Sequence, residues 1–208
     1  IDTDLAARME RALIERAKGG PNASPPVSER KVPRVSSLTK LCGRVPFYYL
    51  TGAPEDELDA LGGCAFTDGR DLEAGILADL KASEPGIYHE QVECKTDWFR
   101  GSADLVRTDQ SKVALTVYDA KTANAASFAI QVRNGKPSDG YILQLSLYAY
   151  ALGAPECVVV YRKKGGTKKD GTQVYAAFRF PPDMDMVWEA KRQAENAIKA
   201  RDERDKNG

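Results

Sequence analysis

The stretch TVYDAKT at residues 116–122 ends an alternating apolar pattern that begins at Val113. A period of two in a run rich in valine, tyrosine and threonine predicts a β-strand. Because side chains two positions apart on a strand share a face, Asp119 and Lys121 are expected to project together. A carboxylate can hold a hard divalent cation, and a neighbouring ammonium can orient an attacking water. Taken alone, the same pair is also compatible with an ordinary surface ion pair.

A second carboxylate lies in the apolar segment before this strand. Residues 98–106 are predicted to form the neighbouring strand, and Asp104 lies within it. An unpaired carboxylate in apolar surroundings is costly in free energy, and a bound metal ion would satisfy it. Further upstream, a helix predicted from Gly69 to residue 81 places Glu73 one turn after its start. Glu73 can therefore supply another acid.

Two hydrogen-bonding residues follow the strand on a predicted helix. Residues 141–152 form an apolar helical stretch, which Gly153 closes. Gln144 and Tyr148 are four positions apart and therefore share a face of this helix. Both side chains can hydrogen-bond a phosphate or the edge of a base.

The four motifs together resemble the RecB-like branch of the PD-(D/E)xK nuclease superfamily. The resemblance covers about residues 35–180 and rests on short motifs in the expected order: Gly69-x-x-x-Glu73, Gly101-x-x-Asp104, Asp119-x-Lys121 and Gln144-x-x-x-Tyr148. It implies an α/β (α+β) fold with a restriction-endonuclease-like core, in which helices flank a central mixed β-sheet.

The resemblance also implies a metal site. Asp104, Asp119 and the backbone carbonyl of Ala120 would bind Mg²⁺ or Mn²⁺, and Glu73 would bind the ion directly or through water. Many relatives in this branch carry a histidine in the first helix, and Asp79 lies at the corresponding spacing here. Asp79 is therefore an alternative acid on that helix.

By the same resemblance, Lys121 positions the nucleophilic water, and Gln144 and Tyr148 contact DNA near the cleaved phosphate. The implied activity is that of a metal-dependent DNA exonuclease in phage or bacterial recombination or repair, with a recombinase or single-strand-annealing protein as candidate partner. An endonuclease or a CRISPR spacer-end trimming nuclease would use the same catalytic residues. A non-catalytic DNA-binding or recombination-partner module is the other alternative, although it has no need of buried carboxylates facing one point. The oligomeric state stays open.

The charge of the chain is balanced, with 30 basic and 30 acidic residues, so only its distribution can indicate nucleic-acid binding. The segment 124–138 is predicted to be a loop, in which Arg133 and Lys136 either hold DNA or belong to a plain connection. Five further bases crowd a predicted hairpin tip at residues 165–166. They either follow a phosphate backbone or protect the tip by their charge: Arg162, Lys163, Lys164, Lys168 and Lys169.

The sequence pattern predicts four parts along the chain. A narrow apolar stripe including Val187 and Ala194 is expected to pack the last part on the core. The parts are an N-terminal amphipathic helix within residues 1–20, a Pro-rich linker over 21–34, the nuclease core over 35–182, and a C-terminal helix over 183–208.

The four cysteines are widely spaced and include no Cys-x-x-Cys pair. Residues 34–44 resemble the opening of CRISPR-associated and phage RecB-like exonucleases, in which a cysteine equivalent to Cys42 joins three C-terminal cysteines around an iron–sulfur cluster. Because those three have no counterparts here, we expect no cluster and four free, mostly buried thiols. His89 is the only histidine, which argues against a zinc site and a Ser-His triad.

The composition is ordinary for a globular domain, with 42% hydrophobic and 29% charged residues among 208. The longest apolar runs are too short to span a membrane, and the start of the sequence lacks a signal-peptide pattern. We therefore expect no membrane contact and a cytoplasmic location, in the bacterial host if the chain is phage-encoded.

Overall fold

The computed structural model describes residues 9–14, 25–40, 42–53, 59–165 and 173–207. Its five strands form one mixed sheet in chain order, in which β3 and β4 are parallel and the other neighbours are antiparallel. The strands are β1 (Ile87–Lys95), β2 (Arg100–Thr108), β3 (Ala114–Asn124), β4 (Glu156–Lys164) and β5 (Tyr175–Phe180).

Helices lie on both faces of the sheet. Two of them, α4 and α5, form the crossover that a parallel pair of strands requires. The helices are α1 (Val35–Leu38), α2 (Arg44–Thr51), α3 (Ala60–Ser83), α4 (Ala125–Asn134), α5 (Asp139–Leu152) and α6 (Met184–Asn207), and a single 3₁₀ turn covers Val27–Glu29.

The central strand β3 is buried from residue 116 to residue 120 because helices cover it on both sides. On one face, Ile76 and Leu77 of α3 pack against strand residues such as Tyr118. On the other face, α5 packs with an apolar side that includes Leu143. The predicted fold class, a mixed sheet flanked by helices, is confirmed.

The C-terminal helix α6 lies behind α5 and α2. Val187, Ala190 and Ala194 are fully buried along one side of α6. Small side chains allow helices to approach closely, so the narrow stripe in the sequence becomes a helix–helix contact.

Two predicted segments differ from the structure. The helix expected from Gly69 begins at Ala60 and has 24 residues, so the low helix propensity of its glycines does not interrupt it. The loop expected over residues 124–138 contains α4. The Asn124 side chain caps this helix by accepting the Ser127 N–H at 2.8 Å.

The described part of the Pro-rich segment lies against α2 and α6. Arg201 of α6 donates from Nη1 to the carbonyls of Arg30 and Lys31, at 3.1 and 2.9 Å. Arg30 in turn donates from Nη1 to the Tyr49 carbonyl of α2 at 2.8 Å. Residues 9–14 are helical, and the rest of the predicted N-terminal helix lies outside the described residues.

The described helices and thiols bear on two further predictions. None of these helices combines the length and hydrophobicity needed to cross a membrane. Cys94 and Cys157 are buried free thiols as expected, whereas Cys42 is a free thiol on the surface.

Candidate active site

The two central aspartates flank the last residue pair of the β2–β3 ladder, since Asp104 precedes Leu105 and Asp119 follows Tyr118. The antiparallel ladder pairs Leu105 with Tyr118, and Asp104 and Asp119 are the next residues where the pairing ends. In place of a strand-to-strand backbone bond, Asp104 Oδ2 accepts the Ala120 N–H at 3.1 Å. The end of the ladder therefore brings two carboxylates and the Ala120 backbone together.

Asp119 is almost completely enclosed, with 1% of its surface exposed. Gln144 Nε2 donates to its Oδ1 atom at 3.2 Å, and Lys121 Nζ lies 2.7 Å from its Oδ2 atom. The Lys121 contact has the distance of an ion pair without the angles of a hydrogen bond, so Oδ2 has no hydrogen-bond donor among the described residues. A buried carboxylate oxygen in this state can accept a cation as a further ligand.

Helix α5 supplies the hydrogen-bonding wall of the site. Gln144 Nε2 also lies 3.4 Å from the Tyr148 hydroxyl, so the two residues act as one polar unit. Tyr148 passes over Gly101 of β2, where a Cβ atom would lie 2.7 Å from Tyr148 Cε1. Only glycine allows this approach, which gives a packing reason for the first residue of the Gly101-x-x-Asp104 motif.

The acids of the site are poorly compensated. Burial and the neighbouring Asp119 raise the pKa of Asp104 to about 8, against the opposing effect of Lys121. Burial acts to lower the pKa of Lys121, but Asp119 and Asp104 outweigh it and raise that pKa. Burial also raises the pKa of Glu73, and Lys121 only partly offsets it. One ammonium therefore faces more carboxyl groups than it neutralises, which favours a further cation or a proton.

A residue that the sequence reasoning missed completes the surroundings of Lys121. The Lys121 ammonium lies 5.3 Å from the centre of the Tyr141 ring, a cation–π distance. Tyr141 in turn makes an edge contact with Tyr161 of β4, with ring centres 6.1 Å apart. Tyr141 precedes Gln144 by three residues, so the spacing in the sequence already placed it on the motif face of α5.

The comparison with protein families agrees with this geometry. The sequence profile of the PD-(D/E)XK nuclease superfamily matches residues 66–206, well over half of the chain. The chain belongs to this superfamily. It is therefore a member of a nuclease superfamily whose enzymes use divalent metal ions.

Solved structures show the same fold for this PD-(D/E)XK protein at low sequence identity. The alkaline exonuclease LHK-Exo of Laribacter hongkongensis is 17% identical with a TM-score of 0.65, over 86% of this chain and 94% of that one. Its complex with dAMP gives a TM-score of 0.66 at the same identity, over 87% and 94%. A phage-related exonuclease from Haemophilus somnus 129PT is 12% identical with a TM-score of 0.56, over 81% and 92%. A search of curated protein sequences finds no match.

The donors of this PD-(D/E)XK site fit a hard divalent cation. Asp104 and Asp119 offer carboxylate oxygens and Ala120 a carbonyl, which are the ligand types of Mg²⁺ and Mn²⁺. The Lys121 ammonium is the charge partner of Asp119 Oδ2, at 2.7 Å, but the raised pKa of Asp104 indicates that the site can take up more positive charge. Within the described residues, however, no group of three His, Cys, Asp or Glu side chains is arranged to bind a metal ion by itself. Backbone, water and substrate oxygens would have to complete the coordination.

The two acids on α3 are placed differently. Glu73 is half-buried, and its pKa responds to both Lys121 and Asp119, so it faces the superfamily's central residues. Asp79 is exposed and accepts a short hydrogen bond from the Tyr175 hydroxyl of β5. Glu73 is therefore the acid that the structure brings to the site.

Three of the candidate DNA-binding bases, Arg162, Lys163 and Lys164, line one groove at the end of β4, but their side chains do not all lie on the same face of the sheet. The Arg162 guanidinium lies near Gly75 of α3, whereas Lys163 Nζ lies 5.9 Å from the Phe128 ring of α4. Arg133 is exposed on α4, and Lys136 pairs with Asp139 at 3.1 Å on the surface. Lys164 is half-buried at the end of β4, and Lys168 and Lys169 lie outside the described residues.

Cavity size alone does not mark the site of this superfamily member. A cavity of about 610 Å³ lies where residues 27–31 meet α2 and the end of α6. Its walls include Arg30 and Arg201, which are already bound to backbone carbonyls. None of the predicted catalytic residues lines it.

Proposed function

We propose that the chain is a metal-dependent exonuclease that hydrolyses phosphodiester bonds of DNA with Mg²⁺ or Mn²⁺. The observation that carries the proposal is the convergence of Asp104, Asp119 and Lys121 at the end of the β2–β3 ladder. A buried carboxylate beside a half-buried one weakens a fold unless the two bind something. Membership of a nuclease superfamily supports phosphodiester hydrolysis as the purpose of this arrangement.

Asp104, Asp119 and the Ala120 carbonyl would hold the cation, with Glu73 as an additional donor. When bound, the ion supplies Lewis-acid polarisation of the phosphate and a lower pKa for the attacking water. The two aspartates are held in place without it, by the Ala120 N–H and by Gln144 respectively. The site is thus preorganised for positive charge.

Lys121 and Tyr148 supply donors to the reacting phosphate. The raised pKa of Lys121 keeps its amine protonated, so it orients the water and stabilises the charge that grows on the phosphate. Burial and Asp119 raise the pKa of Tyr148, which keeps its hydroxyl protonated for a phosphate oxygen. The water oxygen attacks phosphorus in line and loses a proton, the bond to O3′ breaks, and O3′ gains a proton. The products are a 5′-phosphate and a 3′-hydroxyl.

Proteins of similar fold support DNA as the substrate and removal of nucleotides from DNA ends as the mode of cleavage. Two of the similar structures are exonucleases, and LHK-Exo was captured with dAMP, a deoxynucleotide. By extension, we propose that the enzyme processes DNA ends in phage or bacterial recombination or repair. A recombinase or a single-strand-annealing protein is the proposed partner.

The test is digestion of end-labelled linear DNA and covalently closed circular DNA, each single- and double-stranded, with Mg²⁺, Mn²⁺ or EDTA. The comparison variant is Lys121→Ala, for which we expect a loss of about 10²–10³ in kcat, as for removal of one transition-state donor. Lys199→Ala is the matched control, because Lys199 is a surface lysine with 75% of its side chain exposed.

Metal-dependent loss of linear DNA only, abolished by Lys121→Ala but not by Lys199→Ala, establishes the exonuclease. Cutting of the circles replaces that conclusion with an endonuclease. If the folded wild-type protein cleaves no DNA with either metal, the proposed activity is wrong, and the chain is instead a DNA-binding or partner-dependent module.

A further inference from the structure

Arg162 lies beside the candidate active site on the next strand. β3 and β4 run parallel, and Arg162 pairs with Thr122, the residue that follows Lys121. Neighbouring strands lie about 4.8 Å apart. The backbone of Arg162 is therefore displaced from that of Lys121 by one strand and one residue. Because strand side chains alternate, the Arg162 side chain lies on the α3 face, the face of Glu73, whereas Lys121 lies on the α5 face with Tyr141.

The guanidinium of Arg162 is held on the α3 side of the sheet. Its centre lies 5.9 Å from the centre of the Tyr175 ring on β5. Its Nη1 atom lies 3.2 Å from the point where a Cβ would stand on Gly75, so any side chain at position 75 would crowd it. Gly75 is two residues after Glu73. The guanidinium thus lies beside α3 at the level of Glu73, although residues two apart on a helix do not share a face.

Arg162 differs from the other arginines of the sheet in its hydrogen bonding. Arg107 pairs with Glu84 at 2.6 Å, and Arg179 pairs with Glu84 and Glu156 at 2.8 and 2.6 Å. Arg162 forms neither a hydrogen bond nor an ion pair within the part of the chain that the structure describes. A positioned guanidinium with free donors matches an oxyanion that accepts two parallel bonds, above all a phosphate.

A groove of about 420 Å³ runs past this guanidinium. One side is the end of β4, residues 162–165, and the other is α3, with Leu72 and the carboxylates of Asp68 and Asp71. The carboxylates repel a phosphate from the α3 wall. An anionic strand in the groove is therefore confined to the β4 side, where Arg162 lies.

We propose that this groove binds the sugar-phosphate backbone of the nucleic-acid substrate. Arg162 binds a phosphate close to the phosphate at the cleaved bond, but not that phosphate itself. The inference rests on the proposed function and adds a second point of contact between enzyme and substrate. Arg162 is a binding and positioning residue, because it touches the strand outside the reacting phosphate.

The first test measures binding without cleavage. A fluorescent oligonucleotide, single-stranded or duplex with an overhang, is titrated with the full chain in EDTA over a range of salt. For Arg162→Ala we expect the Kd to rise about tenfold and the slope of log Kd against log salt to fall by about one. Arg162→Gln keeps the stem against Tyr175 without the charge, and it should behave in the same way.

Arg192→Ala is the matched control, because Arg192 is a surface arginine of α6 that pairs with Glu189 on the same helix. We expect its Kd and KM to stay within twofold of the wild-type values. With Mg²⁺, both Arg162 variants should raise KM about tenfold and leave kcat within twofold. If the Arg162 variants match Arg192→Ala in Kd, salt slope and KM, the subsite is wrong even when the wild type cleaves DNA. If the wild type does not cleave but the Arg162 variants bind more weakly, the subsite stands and the proposed function fails.

The second test locates the phosphate. Single neutral methylphosphonates are placed one, two or three nucleotides from the cleaved bond. The KM of the wild type should rise about tenfold when the methylphosphonate stands at one of these positions. The KM of Arg162→Gln should not rise further at that position, but it should still respond to the modification at the others. Equal profiles for the wild type and Arg162→Gln would overturn the assignment.

Discussion

Two clusters of charge both include residues of β2 and β3, and they differ in how their charges are balanced. They begin only three residues apart on β3, at Thr116 and Asp119. The first, the arginine network, consists of Glu84, Arg107, Glu156 and Arg179, with Thr116 and Tyr118. The second, the aspartate cluster, consists of Asp104, Asp119 and Lys121, with Gln144.

In the arginine network both oxygens of Glu84 and one oxygen of Glu156 accept hydrogen bonds, while Arg107 Nε is buried without an acceptor among the described residues. Glu84 accepts from Arg107 on one oxygen, at 2.6 Å, and from Arg179 and the Tyr118 hydroxyl on the other. Glu156 accepts from Arg179 at 2.6 Å and from Thr116 at 2.9 Å. These charge-assisted bonds connect the end of α3 to β2, β3, β4 and β5, and each of the two carboxylates has at least one guanidinium partner.

The aspartate cluster leaves its charges only partly compensated. It has two facing carboxylates, one ammonium and an Asp119 oxygen without a hydrogen-bond donor, and it raises the pKa of Asp104 to about 8. The difference shows that charge density alone does not mark a functional site. The informative feature is charge that the protein itself fails to satisfy.

The largest expected effect comes from removing one charge in each cluster. Asp119→Asn should reduce DNA cleavage by about 10³-fold or more, because it removes a proposed cation ligand and the ion pair that orients Lys121. Glu156→Gln is the matched control on the adjacent strand, and its kcat should stay within twofold. The measurement is kcat at saturating DNA for protein of verified folded content. Equal losses in the two variants would remove the functional distinction between the clusters.

The second expected effect is a pH dependence of stability without metal. The folded protein raises the pKa of Asp104, mainly by burial, so it binds this proton more tightly than the unfolded chain does. The stabilising contribution is complete below about pH 4 and is lost as the pH rises towards about 8. In EDTA, the thermal unfolding midpoint should therefore fall over this range, and Asp104→Asn should flatten the curve.

Adding metal to the same unfolding experiment tests whether Asp104 binds a cation. Added Mg²⁺ or Mn²⁺ at pH 8 should raise the midpoint of the wild type, because a ligand that binds only the folded state stabilises it. Asp104→Asn should lose most of this increase. Identical pH curves and identical metal responses for the two proteins would contradict the assignment of Asp104.

A third prediction concerns the arginine network. Arg107→Ala should lower the free energy of unfolding by about 2 kcal/mol, because it removes a hydrogen bond to a charged group and leaves a partly buried carboxylate less compensated. Only about a quarter of the Arg107 and Glu84 side chains is exposed, at 25% and 26%. Urea unfolding measures the loss, with the surface variant Arg192→Ala expected within about 0.5 kcal/mol of wild type. Activity per folded molecule should not change, and a large drop in kcat would show that this network also serves the chemistry.

The aspartate cluster was accessible from the sequence because its members occur in short, periodic spacings. Asp119 and Lys121 are two apart on a strand, and Gln144 and Tyr148 are four apart on a helix, so local geometry alone predicts that each pair shares a face. Local spacing does not say that the two pairs meet. That expectation came from the family resemblance, and the bond from Gln144 to Asp119 across 25 positions now provides the contact.

The features that were missed depend on distant partners or on end signals in a polar segment. The arginine network joins Glu84 to Arg179 across 95 positions, and nothing near either residue indicates the other. Helix α4 was predicted as a loop because its composition is mixed, although Asn124 and Gly135 are ordinary residues for the start and end of a helix. Tyr141 shared the periodicity of the motif helix, but its ring acquires a role only when β3 places a cation beside it.

The smallest expected effect tests that role and separates it from DNA binding. If the Tyr141 ring holds the Lys121 ammonium by a cation–π contact worth about 1.4 kcal/mol, Tyr141→Leu should lower kcat about tenfold. Tyr141→Phe keeps the ring and should stay within twofold. Because the ring contacts the lysine at 5.3 Å, KM should change little in either variant.

A base-stacking role would instead raise KM in Tyr141→Leu with kcat preserved, and it would make Tyr141 part of the substrate-binding surface. Loss of activity in Tyr141→Phe would assign the effect to the hydroxyl group. Steady-state kinetics on one linear substrate distinguishes the cation–π role, the base-stacking role and the hydroxyl role of Tyr141. It also shows whether the activity of the aspartate cluster depends on an uncharged neighbour as well as on its own charges.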